Sequence, residues 1–262
     1  MYRQFKVTGI DISEQRMEVA PTAHYSMGGL RVNWADGSTA VKELFAVGEV
    51  TGGLHGANRL GGNSLAETIV FGRIAGRAAA MHARKKQYTP LDYSSINAAV
   101  ASVNYYLGKE TLQRPVEVRN ELQELMWNKV GIIRNRKDME AALKKIEKLK
   151  KKLSHIRVGE KMEDNPELVI ALDVERLLLA AEAVVKCALM RKESRGAHYR
   201  SDYKKEARAW LVNIVCRKAG RQTPKASFDS GMELSKSKVT KLKGLLVKEL
   251  KRKRQMNRSF VE

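Results

Sequence analysis

The residues best suited to chemistry lie in a glycine-rich stretch before Thr89. Residues 48–65 read GEVTGGLHGANRLGGNSL, which places Arg59 in a loop that leads into a helix. A helix N-terminus offers backbone N–H groups and a positive dipole end to an anion, and arginine is a forked cation that suits a carboxylate. The stretch lacks the lysine before serine or threonine that a phosphate-binding P-loop needs. It predicts a site for a small anion, although a tight helix-entry loop with a surface arginine would give the same pattern.

A second candidate lies upstream in residues 21–29, PTAHYSMGG. Gly28 and Gly29 have no side chains, so the backbone there can approach a ligand closely. His24 lies beside this pair and is a candidate functional residue. A lone histidine is more often structural, so the residues alone leave both interpretations open.

A third polar cluster, residues 191–200, reads RKESRGAHYR and follows a long helical pattern. Polar groups at this density usually join domains together, so we expect a structural or interface role. Gly196 suits the C-cap of the preceding helix.

The hydrophobic pattern predicts the elements that position the first two candidates. Residues 44–47 are a short apolar run that predicts a strand. The five glycines between residues 51 and 62 require a closely folded loop. Asn63 or Ser64 can cap the following helix, which we expect to end near Lys85.

Beyond Thr89 glycine becomes rare and long helical patterns begin. We predict three helices, at about residues 116–131, from Asn135 or Asp138 to 153, and from Asn165 to 191. Helices joined by short links pack as an antiparallel bundle. Residues 223–262 predict a linker and then a basic amphipathic helix.

Composition narrows the class of protein. No apolar run of the 262 residues approaches the roughly 18 that a membrane span needs, and the N-terminus lacks the apolar core of a signal peptide. Cys187 and Cys216 are too few for a disulfide framework and have no metal-site pattern beside them, so we predict no metal site. Free thiols suit a reducing compartment, and we expect a cytoplasmic protein.

The net charge of +20 is unusual, and the last 40 residues carry 11 Lys and Arg against 4 Asp and Glu. Such a balance can attract polyanions or an anionic membrane, and it also suits a solvated helical surface. The chain has no recognisable nucleic-acid fold and only 6% aromatic residues. We therefore expect no specific nucleic-acid partner.

Six motifs stand in one order along the chain: PTAHYSMGG, GEVTGGLHGANRLGGNSL, VFGR, MWNKVGIIRN, NPELVIALDVERLLLAAEAV and RKESRGAHYRSDY. Together they resemble the flavoprotein subunit of succinate dehydrogenase and fumarate reductase over about residues 1–222. The resemblance implies an FAD-dependent enzyme that interconverts succinate and fumarate. Hydride passes between substrate and flavin in that family while a proton moves at the adjacent carbon.

The resemblance also implies roles for individual residues. By their positions in the family's motifs, His24 and Arg59 are the catalytic residues, which hold the substrate carboxylates and polarise the double bond. A helix start there would direct backbone N–H groups at the pyrimidine edge of the flavin and raise its redox potential. The implied cofactor-binding residues are Glu49, Asn63, Ser64 and Leu65.

The resemblance is to the C-terminal portion of that family, which predicts an α+β fold. Residues 1–89 would be the remnant of an FAD-binding α/β domain, residues 90–222 an antiparallel helical bundle, and residues 223–262 a basic tail. The sequence shows no GxGxxG unit of the kind that binds the ADP part of FAD. The family's capping domain, which carries its proton-donating arginine, would be reduced to a remnant of at most residues 1–20. We therefore expect the isolated chain to be inactive.

The implied partners are succinate or fumarate, an iron–sulfur electron-transfer subunit and a separate N-terminal flavoprotein half. Membrane contact would be peripheral, at the cytoplasmic face and through other subunits. Two alternatives stay open. An L-aspartate oxidase-type flavoprotein shares the HGANRL motif, although Met27 favours the dicarboxylate reductases. A non-catalytic helical scaffold that binds a partner protein is the other.

Overall fold

A computed structural model describes residues 2–17, 23–87, 90–108, 113–219 and 223–229. The chain divides into two compact units, Met1–Tyr88 and Thr89–Glu262. The first carries the glycine-rich sequence and the second carries the long helices. The predicted α+β class is confirmed, because helices and short strands both occur. The predicted domain limits, at residues 89/90 and 222/223, stay predictions.

Among its described residues, the first unit has two helices. Helix α1 spans Tyr2–Val7 and helix α2 spans Asn63–Arg84. Isolated bridges connect the intervening segments, and a single 3-10 turn covers Gly48–Val50. The strand predicted at residues 44–47 is wrong. Positive φ angles at Glu43 (68°) and Gly48 (76°) turn the chain at both ends of this segment, which leaves only one bridge, from Phe45.

Helix α2 begins without the predicted side-chain cap. Gly62 occupies the N-cap with φ at 80°, a left-handed conformation that suits glycine. Asn63 is already helical, and no side chain accepts from the first backbone N–H groups. The helix ends at Arg84, one residue before the predicted end.

The second unit is built around three long helices, and the predicted bundle is confirmed. Helix α3 spans Tyr93–Asn104, which the sequence interpretation missed. The bundle helices are α4 (Pro115–Val130), α5 (Arg136–Lys152) and α6 (Pro166–Met190).

Ion pairs give the directions of these helices. Glu121, in the first half of α4, pairs with Lys145 at 2.9 Å and with Lys152 at the end of α5, so the two helices are antiparallel. Helices α4 and α6 start at the same end of the bundle, where Arg114 pairs with Glu167 at 3.1 Å. The buried core includes Val118, Leu122, Met139, Ala142, Ile146, Leu149, Leu168, Ala171, Val174, Leu178 and Val185.

Local sequence signals set where these helices begin. The side chains of Asn135 and Asn165 accept hydrogen bonds from the backbone N–H groups of Asp138 (2.9 Å) and Leu168 (3.0 Å). Both are N-caps of the kind that satisfies otherwise unpaired donors. Pro115 and Pro166 occupy the first helical position, where a missing N–H costs nothing.

The described part of the second unit also has two pairs of short strands. Strand β1 (Ile133–Arg134) pairs in parallel with β2 (Tyr199–Arg200). Strands β3 (Asn213–Ala219) and β4 (Thr223–Asp229) form an antiparallel hairpin. The linker expected from residue 223 is therefore wrong for residues 223–229. The amphipathic helix predicted after it lies outside the described residues.

The cluster at residues 191–200 closes the C-terminal end of α6. Gly196 is not the C-cap: that position is Arg191, because the helix ends at Met190 and Gly196 lies in a later turn with φ at 56°. The buried Arg200 guanidinium donates instead to the carbonyls of Ala188 (2.8 Å), Leu189 (3.2 Å) and Arg191 (3.0 Å). A cation that binds the last carbonyls stabilises a helix end. This is a structural role within the unit.

Three further charged side chains of the same cluster, Glu193, Arg191 and Arg195, have a structural role as well. Glu193 is fully buried and accepts from the guanidinium groups of Arg191 (2.8 Å) and Arg195 (2.9 Å). Burial opposes its charge, but the hydrogen bonds from Arg195, the Ala207 N–H and Arg191 outweigh that cost and lower the pKa of Glu193 to about 2.

Among the described residues, no helix is long and apolar enough to cross a membrane.

Candidate functional site

Two glycines bring the candidate segments of the first unit together. A Cβ on Gly29 would lie 2.2 Å from the Val50 carbonyl oxygen, and one on Gly52 would lie 2.6 Å from the Gly29 nitrogen. Side chains therefore cannot fit at either position. The Leu30 N–H donates to the Val50 carbonyl (2.7 Å), and the Gly52 N–H donates to the Leu30 carbonyl (3.0 Å). The segment that follows His24 is thus held against the start of the Arg59 loop.

Glu67 connects the same segments from the buried side. It lies one turn into α2 and is 4% exposed. Its carboxylate accepts from the Tyr25 hydroxyl at 2.6 Å and from the Thr51 hydroxyl at 3.3 Å, and it contacts His55 Nε2 at 2.7 Å. A buried carboxylate requires such donors, because an unpaired charge in this setting is strongly unfavourable. Three segments distant in sequence therefore meet at one side chain.

The pKa values in this network follow from burial and hydrogen bonding. Burial alone would raise the pKa of Glu67, but the hydrogen bonds from Tyr25, His55 and Thr51 outweigh it and hold that pKa below its usual value. Burial and the adjacent Glu67 carboxylate raise the pKa of Tyr25 to about 12. At neutral pH Glu67 is therefore ionised and Tyr25 is a hydrogen-bond donor.

Arg59 lies on the face of the tyrosine that Glu67 fixes. Its guanidinium carbon is 4.8 Å from the centroid of the Tyr25 ring, which is within the range of a cation–π contact. One terminal nitrogen donates to the Leu60 carbonyl at 3.1 Å, and Nε is buried with no partner in the described part of the chain. Arg59 also forms no ion pair among those residues, so its charge is available for an anion.

His24 precedes Tyr25 directly, is exposed, and lies outside any helix or strand. His24 is therefore next in sequence to Tyr25, whose ring contacts the Arg59 guanidinium. The prediction that His24 and Arg59 grip one ligand stays a prediction. Glu49 is also exposed, and its carboxylate accepts from the Ser26 N–H at 2.9 Å, which ties it to the segment that carries His24.

The start of α2 suits an anionic or carbonyl-bearing group. Gly62 provides no side-chain cap, so the N–H groups at the first turn have no side-chain acceptor. Ser64 is partly buried, whereas Asn63 and Leu65 are exposed. The predicted cofactor residues are thus accessible around a helix N-terminus with a positive dipole. This donor set fits the carbonyl edge of a flavin ring.

Tyr25, His55 and Glu67 were not predicted from the sequence. The helical spacing could have indicated Glu67. It lies eight positions before Ala75, and this spacing places both residues on the inward face of α2. A charged residue on such a face is unusual and indicates a buried partner. The identity of its partners depends on tertiary contacts, which no local pattern contains.

Comparisons with known proteins show the family to which the chain is similar. Residues 119–248 match the family described as "Fumarate reductase flavoprotein C-term", and residues 3–65 match "FAD binding domain". One subunit of the fumarate reductase (CoM/CoB) of Methanothermobacter marburgensis is 44% identical over 216 residues, which are 82% of this chain and 39% of that protein. The "Fumarate reductase flavoprotein subunit" of Proteus vulgaris is 39% identical over 74% of this chain and 33% of that protein.

Solved structures of succinate dehydrogenase and fumarate reductase proteins are also similar to this chain. Mycobacterium smegmatis Sdh1 in complex with UQ1 superposes with a TM-score of 0.80 at 37% identity, over 87% of this chain and 39% of that one. The chain thus spans about two fifths of the length of these relatives. The FAD-domain match covers the segments that carry His24, Glu49 and Arg59, and the second match covers most of the bundle. The chain belongs to the flavoprotein-subunit family of fumarate reductase and succinate dehydrogenase.

Proposed function

We propose that this chain is part of an FAD-dependent enzyme that interconverts succinate and fumarate. The observation that carries the proposal is Arg59, a cation without an acidic partner in the described residues, fixed on the Tyr25 ring beside an uncapped helix N-terminus. A dicarboxylate needs such a fixed, forked cation. FAD, when bound, supplies the two-electron chemistry.

The substrate and the flavin are bound by different residues in this proposal. Arg59 binds one carboxylate of the substrate and His24 binds the other, and both polarise the double bond of fumarate. Glu67 holds Tyr25 and therefore the platform on which Arg59 lies. Glu49 and the α2 start, with Asn63, Ser64 and Leu65, contact the flavin. A positive helix end near the ring favours its reduced form.

We also propose that turnover needs more polypeptide than these 262 residues, because the relatives are longer and this chain spans about two fifths of their length. The additional part would complete the FAD site and supply the proton donor. Electrons would pass to or from an iron–sulfur subunit. The assembled enzyme would be cytoplasmic or would lie at the cytoplasmic face of the membrane through its other subunits.

The test is a reconstitution with a homologous part. The chain is purified alone, and it is also co-expressed with the part of the Methanothermobacter marburgensis relative that lies outside the matched 216 residues. Each preparation receives FAD and is assayed for fumarate reduction with a low-potential reduced dye. We expect turnover from the combination and none from the chain alone.

A substrate panel separates this proposal from the alternative. Oxidation of L-aspartate faster than succinate by the same preparation would indicate the L-aspartate oxidase-type activity. FAD binding with neither activity would contradict the proposed reaction. Turnover by the chain alone would contradict the need for further polypeptide and leave the reaction itself supported.

A further inference from the structure

The two cysteines of the chain lie together although they are 29 positions apart. Cys187 is in the last turn of α6, and Cys216 is in the middle of β3. Their Sγ atoms are 3.2 Å apart, and both are free thiols of intermediate exposure. Nothing in the proposed reaction uses them, because the candidate site lies in the other unit.

We propose that Cys187 and Cys216 form a redox-active dithiol site that reacts with small-molecule disulfides of the glutathione type. The product is an intramolecular disulfide that ties the β3–β4 hairpin to the end of the bundle helix α6. The two sulfurs need to approach by only about 1 Å to reach the bond length of a disulfide. This inference does not depend on the proposed activity.

The reaction is two successive thiol–disulfide exchanges. One cysteine thiolate attacks the small-molecule disulfide, forms a mixed disulfide and releases one small thiolate. The second cysteine loses its proton, attacks the first cysteine's sulfur and releases the other small thiolate. The two cysteines are thereby oxidised by two electrons, and one small-molecule disulfide is reduced to two thiols.

The contact between the two sulfurs supports the second of these steps. Whichever cysteine attacks first, its partner lies 3.2 Å away and can resolve the mixed disulfide. Because the second thiol is already in contact, resolution is intramolecular. Burial, together with the adjacent Cys216 thiol, raises the pKa of Cys187, so the oxidation should become faster as pH increases, since the thiolate is the reactive form.

The test uses the whole chain in buffers with defined ratios of oxidised to reduced glutathione. After the reaction is quenched with an alkylating reagent, intact mass spectrometry counts the free thiols, which are unambiguous because the sequence has only two cysteines. We expect both thiols to disappear together, with a loss of two hydrogen atoms and no retained glutathione. The equilibrium constant should be at least about tenfold higher for the folded chain than in denaturant, because folding raises the effective concentration of the pair.

Single substitutions separate the two steps. Cys187→Ser and Cys216→Ser should each accumulate a glutathione adduct on the remaining cysteine, because the resolving thiol is missing. Helical circular dichroism of each variant verifies that it is folded, and the denatured wild-type chain serves as the reference if a variant is not. A folded wild-type chain that stops at the mixed disulfide, forms only intermolecular disulfides, or oxidises no more readily than the denatured chain would overturn the proposal.

Discussion

The two units of the chain are stabilised in different ways. In the helical unit, apolar side chains of α4, α5 and α6 form a continuous cluster in which Ile146, Leu149 and Val174 have no exposed surface. In the first unit, Ala75 is the only apolar side chain buried to a similar degree among the described residues. That unit is organised instead by the hydrogen bonds of Glu67 and by the contact between Gly29 and Gly52.

The two units therefore contribute differently, one to stability and the other to ligand binding. The bundle has the apolar burial that drives folding, whereas the first unit presents groups to a ligand. Leu60, Leu65 and Ile69 are 74%, 73% and 73% exposed around the α2 start. Exposed apolar residues in one region often mark a binding surface. Their position suits the proposal that FAD and a further part of the flavoprotein cover this face.

The largest effect is expected from the bundle core. Leu149→Ala removes a fully buried side chain and should destabilise the helical unit by about 2–5 kcal/mol. Leu65→Ala makes the same chemical change at an exposed site and should alter stability by no more than about 0.5 kcal/mol. Urea unfolding followed by helical circular dichroism measures both. Equal effects would remove the contrast between the units.

A smaller, local effect is expected from Glu67. Glu67→Gln keeps the size of the side chain but weakens its bonds to Tyr25, His55 and Thr51, and should cost about 1–3 kcal/mol within the first unit. Hydrogen exchange should become faster in residues 48–62 and stay unchanged in α4, α5 and α6.

The matched control for that substitution is Glu43→Gln in the same unit. Glu43 pairs with Lys86 at the surface, where ion pairs contribute little. Its exchange pattern should resemble that of the wild type. Similar acceleration in both variants would mean that the buried network does not organise the loop.

The smallest effect is expected from pH. Burial and the adjacent Arg134 guanidinium lower the pKa of His198 to about 4, and Arg134 already donates to its Nδ1 at 3.1 Å. Between this value and about 6.5 the unfolded chain binds more protons than the folded one, so stability of the helical unit falls as pH decreases through that window. The contribution should be on the order of 1 kcal/mol because partial exposure screens it. Chemical unfolding at several pH values measures it, and His198→Gln should flatten the slope. An unchanged slope would contradict the assignment.

Much of the bundle was predictable because its signals are local. The Asn135 and Asn165 caps and the apolar spacing on each helix place the helix limits within a few residues. The hairpin of β3 and β4 was not predicted, since its register depends on pairing between two strands and on packing against α6. Residues 44–47 have a strand-like composition, but within the described ranges of the first unit only one bridge, between Ser38 and Phe45, pairs them.

The candidate site was predictable only in part. His24 and Arg59 belong to short motifs that carry their own chemistry. The Glu67 network joins Tyr25, His55 and Thr51 through contacts between residues 12 to 42 positions apart. Only the tertiary structure brings these side chains together, so no pattern along the chain identifies the platform under Arg59.

The central claim is that Arg59, held on the Tyr25 ring, binds a substrate carboxylate. The direct measurement is the kcat/KM for fumarate of the reconstituted flavoprotein with Arg59→Ala, compared with Arg84→Ala at the other end of α2, about 30 Å from the helix start. Loss of a charge-assisted contact worth about 1.5–3 kcal/mol predicts a decrease of about 10- to 150-fold for Arg59→Ala. Arg84→Ala should stay within about twofold of wild type. Equal kcat/KM values for Arg59→Ala and the wild type would contradict the account.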